Sequence, residues 1–577
     1  MSDSRMQRRT ESLTVWGIAL MALVVRVALV LWADRTIRWD EPDYLTLARN
    51  LATGRGFTVA GYPELHYAPL FPLVTGLFYR LLGNLEAASD ALYVLAGAAL
   101  ILPFYALVRR LFGARWALPA SLLLALCPAL NASVLYWGTM TEPLYLLCVF
   151  AGFWFLWVGA EDRSVRYGVA AGASFALAYL TRPEGILYAG WGAVVLVISI
   201  LVWRRPQPSK FWQELGGRTV SRLLAVISPR RWLRTGKAWL VLAGYLLAAF
   251  VVALPYLRYV HDQTGQWMVS GKLGVTYDIG RAVLARDPAE YDRVTASLDS
   301  TGREIIWYSP ERFQRDLAAE LTASPVQALR RVWANFRLLL DAWFDITVFP
   351  TLLLVFVGLA WFAQPWHRRR AVTELYWAVA WIPLLVAFLP FHVEIRFFAP
   401  ALPIALAWVG RGALTMGDWG AATAHTLLGN RRLAAWLRKA LVVLPTLLVA
   451  LAFVGLSVLA VRQGERDTDF GHREAGLWLK AHAPRGSVVM ARDLAIALYA
   501  ELDWVPSPRA EMSQFLEYAR AHGVDYVVVD EREVTVIRPH MKALLQPETA
   551  PAELRLAYQF VGNKGRTLVY ALRGGSP

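Results

Sequence analysis

The chain of 577 residues is 56% hydrophobic and only 18% charged, a balance outside that of ordinary soluble enzymes. Its net charge of +15 would suit a nucleic-acid ligand, but the excess is confined to short stretches between apolar blocks. Cys127 and Cys148 both fall inside such blocks, which excludes a disulfide framework and a cysteine-based metal site.

Eleven blocks apolar enough to cross hydrocarbon as helices follow one another: 15–32, 91–108, 117–135, 144–158, 169–180, 186–203, 238–259, 347–362, 375–391, 397–409 and 440–461. One block would fit a signal peptide; eleven do not, and the first runs straight into charged residues without a small-residue cleavage site. The pattern predicts a polytopic α-helical membrane protein with about eleven transmembrane helices over 1–461 and a small α/β domain over 462–577. With Arg5, Arg8 and Arg9 placed in the cytoplasm, counting crossings sends Arg109, Arg110, Arg115 and the basic stretches 204–237, 367–370 and 431–439 inside. The long loop 261–345 falls outside and mixes acids with bases. This is the positive-inside pattern, and it accounts for the basic excess with no polynucleotide. The 204–237 loop is expected to lie as a surface helix on anionic lipid.

Two regions outside the apolar blocks read as structured. Within the first external loop, 35–90, a helix is predicted over 42–51, then a turn at Gly54-Arg55-Gly56, then a helix over 69–82 lying at the interface. After 461 the hydropathy falls. Ser487 to Ala491 and Tyr526 to Asp530 read as strands, Gln514 to His522 as a helix ended by Gly523, and 559–572 as a hairpin turning at Asn563-Lys564-Gly565. An odd number of crossings puts this domain outside the cytoplasm.

Parity carries the polar residues at segment ends to that same outer face. Asp40-Glu41 follows the first segment, Glu142 opens the fourth, Arg182 and Glu184 follow the fifth, and His392, Glu394 and Arg396 follow the ninth. A plainer reading competes: Asp40-Glu41-Pro42, Thr141-Glu142-Pro143 and Thr181-Arg182-Pro183-Glu184 all resemble helix starts with a cap and first-turn acid. Asp40-Glu41 exceeds what a cap requires. Arg26 sits within the first apolar block, where an unpaired cation is costly, so it must face the bundle, an acid or a lipid phosphate. His66 lies on the external loop, as a structural residue or a ligand.

An arginine in the first helix, then Asp40-Glu41-Pro42-Asp43-Tyr44, 48–56 as Ala-Arg-Asn-Leu-Ala-Thr-Gly-Arg-Gly, and His66-Tyr67-Ala68-Pro69-Leu70-Phe71-Pro72 resemble the first external loop of bacterial GT-C glycosyltransferases. The subgroup is that of the protein O-mannosyltransferases and the lipid A aminoarabinose transferase. Thr141-Glu142-Pro143-Leu144-Tyr145, Arg182-Pro183-Glu184-Gly185 and the run from Glu394 to Pro403 match its habits too. The resemblance covers roughly 13–461; many relatives carry a double proline where His66-Tyr67-Ala68-Pro69 stands here.

The resemblance implies an inverting transferase (EC 2.4) that takes a sugar from a polyprenyl-phosphate donor such as undecaprenyl phosphate at the outer face of a bacterial cytoplasmic membrane. The acceptor hydroxyl or amine is left unnamed. Asp40 is then the expected base, with Glu41 orienting the loop; Arg182, Arg396 and more weakly Arg26 receive the donor phosphate. Tyr44, His66, Glu142, Glu184, His392 and Glu394 complete the expected pocket. Relatives with and without a metal exist, so a divalent cation stays open as cofactor. Besides the donor, the expected partners are membrane lipids. A ligase or polymerase moving a whole lipid-linked glycan is the alternative; a transporter or a scaffold fits less well, because the charges gather at one surface and no inverted repeat is visible.

Overall fold

A computed structural model of the chain describes residues 2–202, 236–309, 324–427 and 435–572. The expected surface helix of the basic loop lies outside the described residues. Among the described residues, six helices are long and apolar enough to cross a membrane: Thr10–Trp32, Leu85–Phe112, Glu142–Asp162, Gly236–Thr264, Arg368–Phe388 and Ala435–Asp467. Four shorter apolar helices, Leu70–Leu82, Ala114–Leu126, Gly185–Leu201 and Leu353–Phe362, accompany them. The chain is a multi-pass membrane protein.

Several apolar blocks are broken for identifiable reasons. Block 117–135 is broken after Leu126, because Cys127 turns out of the helix before Pro128; a short helix, Pro128–Asn131, and a 3-10 turn, Ser133–Tyr136, follow. Block 347–362 is helical only over Leu353–Phe362. Helix Val165–Thr181 lies against helix Gly236–Thr264 with Gly168 and Gly172 at the contact, where an added methyl group would overlap the Val241 and Tyr245 carbonyls.

The segment between the first two long apolar helices follows the expected order. Helix Glu41–Thr53 is closed by Gly54 in the left-handed conformation. A two-residue ribbon, Thr58–Val59 with Tyr62–Pro63, leads to helix Leu70–Leu82. Asn50 Nδ2 donates to the Thr58 carbonyl at 2.8 Å, folding the ribbon back on the helix.

The C-terminal region builds a five-stranded mixed sheet. Its strand order is Asp503–Pro506, Val488–Ala491, Tyr526–Asp530, Gly565–Leu572, Leu554–Gly562. The first three strands are parallel and the last two antiparallel. Alternation sorts the faces. Met490, Val527, Val529 and Leu568 pack with helix Met512–Ala521 on one side, whereas Val489, Ala491, Val528 and Val569 pack with helices Gly471–His482 and Leu494–Ala500 on the other.

Two sets of contacts stand out among those that fasten the domain to the rest of the chain. Ile37 N donates to Tyr499 Oη at 2.8 Å and Arg473 pairs with Asp34 at 2.8 Å. From the loop helix Pro288–Ala296, buried Asp292 meets Arg538 at 2.8 Å, Arg492 at 3.1 Å and Arg509 at 3.4 Å.

Candidate active site

Helix ends of the apolar bundle, the loops 33–84 and 265–309 and the C-terminal sheet enclose a cavity of about 1150 Å³. Asp40 stands on its wall because of a tight backbone lock. Trp39 adopts φ +58°, rarely held by a non-glycine residue, and the Asp40 and Glu41 amides both donate to the Gly138 carbonyl, at 3.1 and 2.8 Å. Gly138 is itself at φ +71°, and a Cβ there would lie 2.6 Å from the Trp39 ring.

Asp40 precedes helix Glu41–Thr53 but makes no side-chain cap bond. Its carboxylate accepts from Tyr67 Oη at 3.1 Å and pairs with Arg396 at 3.2 Å and Lys272 at 3.7 Å. Burial pushes this carboxyl up, but Lys272 and Arg396 outweigh it and hold it below the usual carboxylate range. Thr141 makes no cap bond either; its hydroxyl accepts from Arg182 at 3.0 Å. Thr181 ends its helix by donating to the Leu177 carbonyl at 2.8 Å, so no capping box forms. The capping readings fail at these three positions because the polar groups are engaged elsewhere.

Two guanidinium groups flank one aromatic ring. Arg182 lies over Phe397 at 5.5 Å and Arg396 over the same ring at 5.3 Å. Arg182 is held by Glu142 at 2.9 Å and by Glu184. Arg396, 8% exposed, is held by Glu394 and reaches the Trp137 carbonyl at 3.2 Å. His392 Nε2 lies 2.8 Å from Glu394. Burial raises the Glu394 carboxyl, yet Arg396 and His392 hold it well below its ordinary value.

Of the residues singled out in the sequence, Asp40, Tyr44, His66, Arg182, Glu184, His392, Glu394 and Arg396 line this cavity. Glu142 stands behind Arg182 rather than on the wall, with Thr139 donating to it at 2.6 Å. Glu41 turns away to Arg35, at 2.9 and 3.1 Å, and Arg35 continues to Asp90 at 2.7 Å. Burial pushes the Glu41 carboxyl up to about 7, with Arg35 countering.

Arg26 is the clearest departure. It is 1% exposed, packs against Gly97, donates to the Ala22 carbonyl at 3.2 Å and lies over Tyr93 at 5.9 Å. It does not line the cavity, so its position gives no support to the phosphate role expected of it.

Sequence reading overlooked Lys272, Tyr67 and Asp43, along with the C-terminal contributors Arg492, Asp493, Asp530 and His472. Tyr67 was visible within the quoted loop motif. Lys272 is one cation in a mixed-charge loop, and no local signal marks it. Among the described residues, no group of three or more His, Cys, Asp or Glu side chains is placed to hold a metal ion. Glu64 and His66 bond to each other at 2.9 Å, and the Tyr67 amide donates to Glu64 at 3.2 Å.

The fold joins a helical membrane bundle to a small mixed-sheet domain, with arginines and a carboxylate gathered in the cavity between them. Residues 66–229 match the family model of the dolichyl-phosphate-mannose-protein mannosyltransferases. Among solved structures, it is similar to ArnT from Cupriavidus metallidurans bound to undecaprenyl phosphate: TM-score 0.54, 15% identity, covering 98% of this chain and 99% of that one. The same ArnT in the apo state gives TM-score 0.54 and 15% identity over 97% of this chain and 98% of that one. The Archaeoglobus fulgidus oligosaccharyltransferase, in complex with zinc and sulfate, gives 0.50 and 14% over 97% of this chain and 73% of that one. At these identities the likeness establishes the fold. No curated protein matches the chain by sequence.

Proposed function

We propose that this protein is an inverting glycosyltransferase that moves a sugar from a polyprenyl-phosphate donor to an acceptor hydroxyl or amine at the outer face of a bacterial cytoplasmic membrane. The observation that carries the reading is the convergence of Asp40, Lys272, Arg182 and Arg396 on one cavity. The undecaprenyl phosphate bound in the similarly folded ArnT supports the donor class. Eleven crossings, an extracytoplasmic C-terminal domain and the positive-inside arrangement complete the topology proposed here.

Each residue then has a task. The donor is a phosphodiester, and the bond that breaks joins the sugar C1 to a phosphate oxygen, whose electron pair stays with the phosphate. Arg182, Arg396 and Lys272 stabilise the charge that grows there. The acceptor oxygen or nitrogen forms its bond to C1 from the opposite face, and its proton passes to Asp40 as general base. Donor phosphate that takes over Arg396 and Lys272 removes the two cations that hold Asp40 at low pKa, so the base strengthens when donor is in place. Glu142 and Glu184 orient Arg182, Glu394 with His392 orients Arg396, and Glu41 fixes the loop through Arg35. Tyr44 and His66 line the pocket beside the reacting groups.

The test is to give purified protein in lipid nanodiscs a panel of radiolabelled undecaprenyl-phosphate sugars and follow release of undecaprenyl phosphate. Release with at least one sugar is expected; binding of none of them refutes the reading. One observation favours a second reading: the cavity of about 1150 Å³ exceeds the needs of one sugar phosphate, and an oligosaccharyltransferase shares the fold. Turnover of a lipid-linked oligosaccharide in preference to any monosaccharide donor would establish that ligase.

A further inference from the structure

Part of the cavity wall is built by the C-terminal sheet, and its construction points to the acceptor. After strand Val488–Ala491 the chain leaves towards helix Leu494–Ala500 on one face; after Tyr526–Asp530 it leaves towards Val534 and Met541 on the other. Neighbouring parallel strands whose connections part in this way open a crevice at their carboxyl ends, the place where ligands settle on such sheets. Here that crevice faces the cavity, lined by Arg492 and Asp493 from one strand end and Asp530 from the other.

His472 bridges the crevice, 3.3 Å from Asp493 and 3.2 Å from Asp530. Asp493 also accepts from the Ala495 amide at 2.9 Å and Asp530 from the Glu533 amide at 2.8 Å. A carboxylate offers about four acceptor positions, so each aspartate is rigidly held while keeping capacity towards the cavity. Arg492 is drawn away to buried Asp292 at 3.1 Å, an acid it shares with Arg538 and Arg509. Trp504 and Trp307 add indole rings to the same lining. The Tyr499–Ile37 and Arg473–Asp34 contacts tie this domain to the loop that carries Asp40.

Resting on the transferase reading, we propose that the C-terminal domain is the acceptor-binding half of the active site and that the acceptor is an unphosphorylated saccharide, bound through its hydroxyls by Asp493 and Asp530. Fixed carboxylates accept hydrogen bonds from hydroxyls, and indole rings cover the apolar face of a sugar. His472 between the two carboxylates offsets one of their charges, and the remaining negative charge disfavours a phosphorylated or carboxylated acceptor relative to a neutral hydroxyl-bearing one. The domain therefore selects the acceptor, while the membrane-side arginines select the donor.

The experiment uses the full chain in nanodiscs, saturated with a donor that turns over, and measures release of undecaprenyl phosphate. The probes are a panel of neutral and amino oligosaccharides, their phosphorylated counterparts and a Ser/Thr-rich peptide. Neutral or amino oligosaccharides are expected to accelerate release. D493N and D530N each exchange a charged for a neutral hydrogen-bond acceptor and should raise the acceptor KM about tenfold. Donor affinity should stay at the parental value; asparagine keeps the cap at 493 and the amide contact at 530, so the fold is retained although each variant loses one ion pair to His472. The proposal is overturned if the peptide or a phosphorylated saccharide is the better acceptor, if no neutral or amino oligosaccharide accelerates release, or if both variants keep the parental acceptor KM. Failure to bind any donor would instead defeat the transferase reading itself.

Discussion

Replacing Arg396 by alanine separates donor recognition from base tuning. Arg396 is 8% exposed and lies 3.2 Å from Asp40, so it acts on both the incoming phosphate and the resting carboxylate. A charge-assisted contact of this kind contributes about 1.5–3 kcal/mol, which corresponds to a fall of about 10–150-fold in kcat/KM for the donor. The second effect is on pH. An arginine beside an aspartate lowers its pKa by about 1–3 units, and Asp40 is held low by Lys272 and Arg396 against burial. The base works when deprotonated, so the parent keeps its plateau of kcat/KM far into the acid range. In the alanine variant Lys272 alone remains, and the acid limb moves upward by about one to two pH units. Donor kcat/KM measured from pH 3 to 8 in nanodiscs reads both effects, with R396K retaining part of the phosphate contact and losing its planar fork. A uniform loss at every pH, with the limb unmoved, would refute the coupling between Arg396 and the base.

Two further substitutions probe the supports of the site. Gly138→Ala puts a methyl group 2.6 Å from the Trp39 ring at φ +71° and should cost about 1–2 kcal/mol. Because Gly138 also accepts the Asp40 and Glu41 amides, kcat should fall while donor binding by calorimetry changes little; unchanged kcat would mean that the Trp39–Asp40 turn needs no such lock. Asp292→Ala leaves buried Arg538 and Arg492 without their shared acid and should destabilise the docked C-terminal domain by about 3–5 kcal/mol, read as its earlier release by protease. Parental protease resistance would show that the domain is held by its other contacts.

Local grammar was legible where backbone chemistry decides the outcome. Helix Glu41–Thr53 and its Gly54 stop, helix Leu70–Leu82 after Pro69, and the hairpin turning at Asn563-Lys564-Gly565 follow from proline, glycine and apolar spacing. Strand Asp503–Pro506 was missed because it is a four-residue edge strand with an acid and a proline, both poor strand signals. Apolar blocks announced membrane helices but not their breaks: Pro128 ends one early, and only ten residues of block 347–362 are helical. At the site, crossing parity grouped Asp40, Arg182 and Arg396, since side of membrane is a property of sequence order. Depth within the site was not legible. Glu142 lies behind Arg182, Glu41 turns to Arg35 and Arg26 is sealed between helices, and these placements depend on side-chain packing between distant segments. Lys272 and the carboxyl-end residues of the C-terminal sheet reach the cavity through long-range docking that no local pattern encodes.

The most direct measurement is single-turnover transfer by Asp40→Asn with donor already bound. Asparagine keeps the shape of the side chain and removes its basicity, so the account predicts donor binding at or near parental affinity and a rate lower by about 10²–10⁴-fold. Turnover as fast as the parent would contradict it.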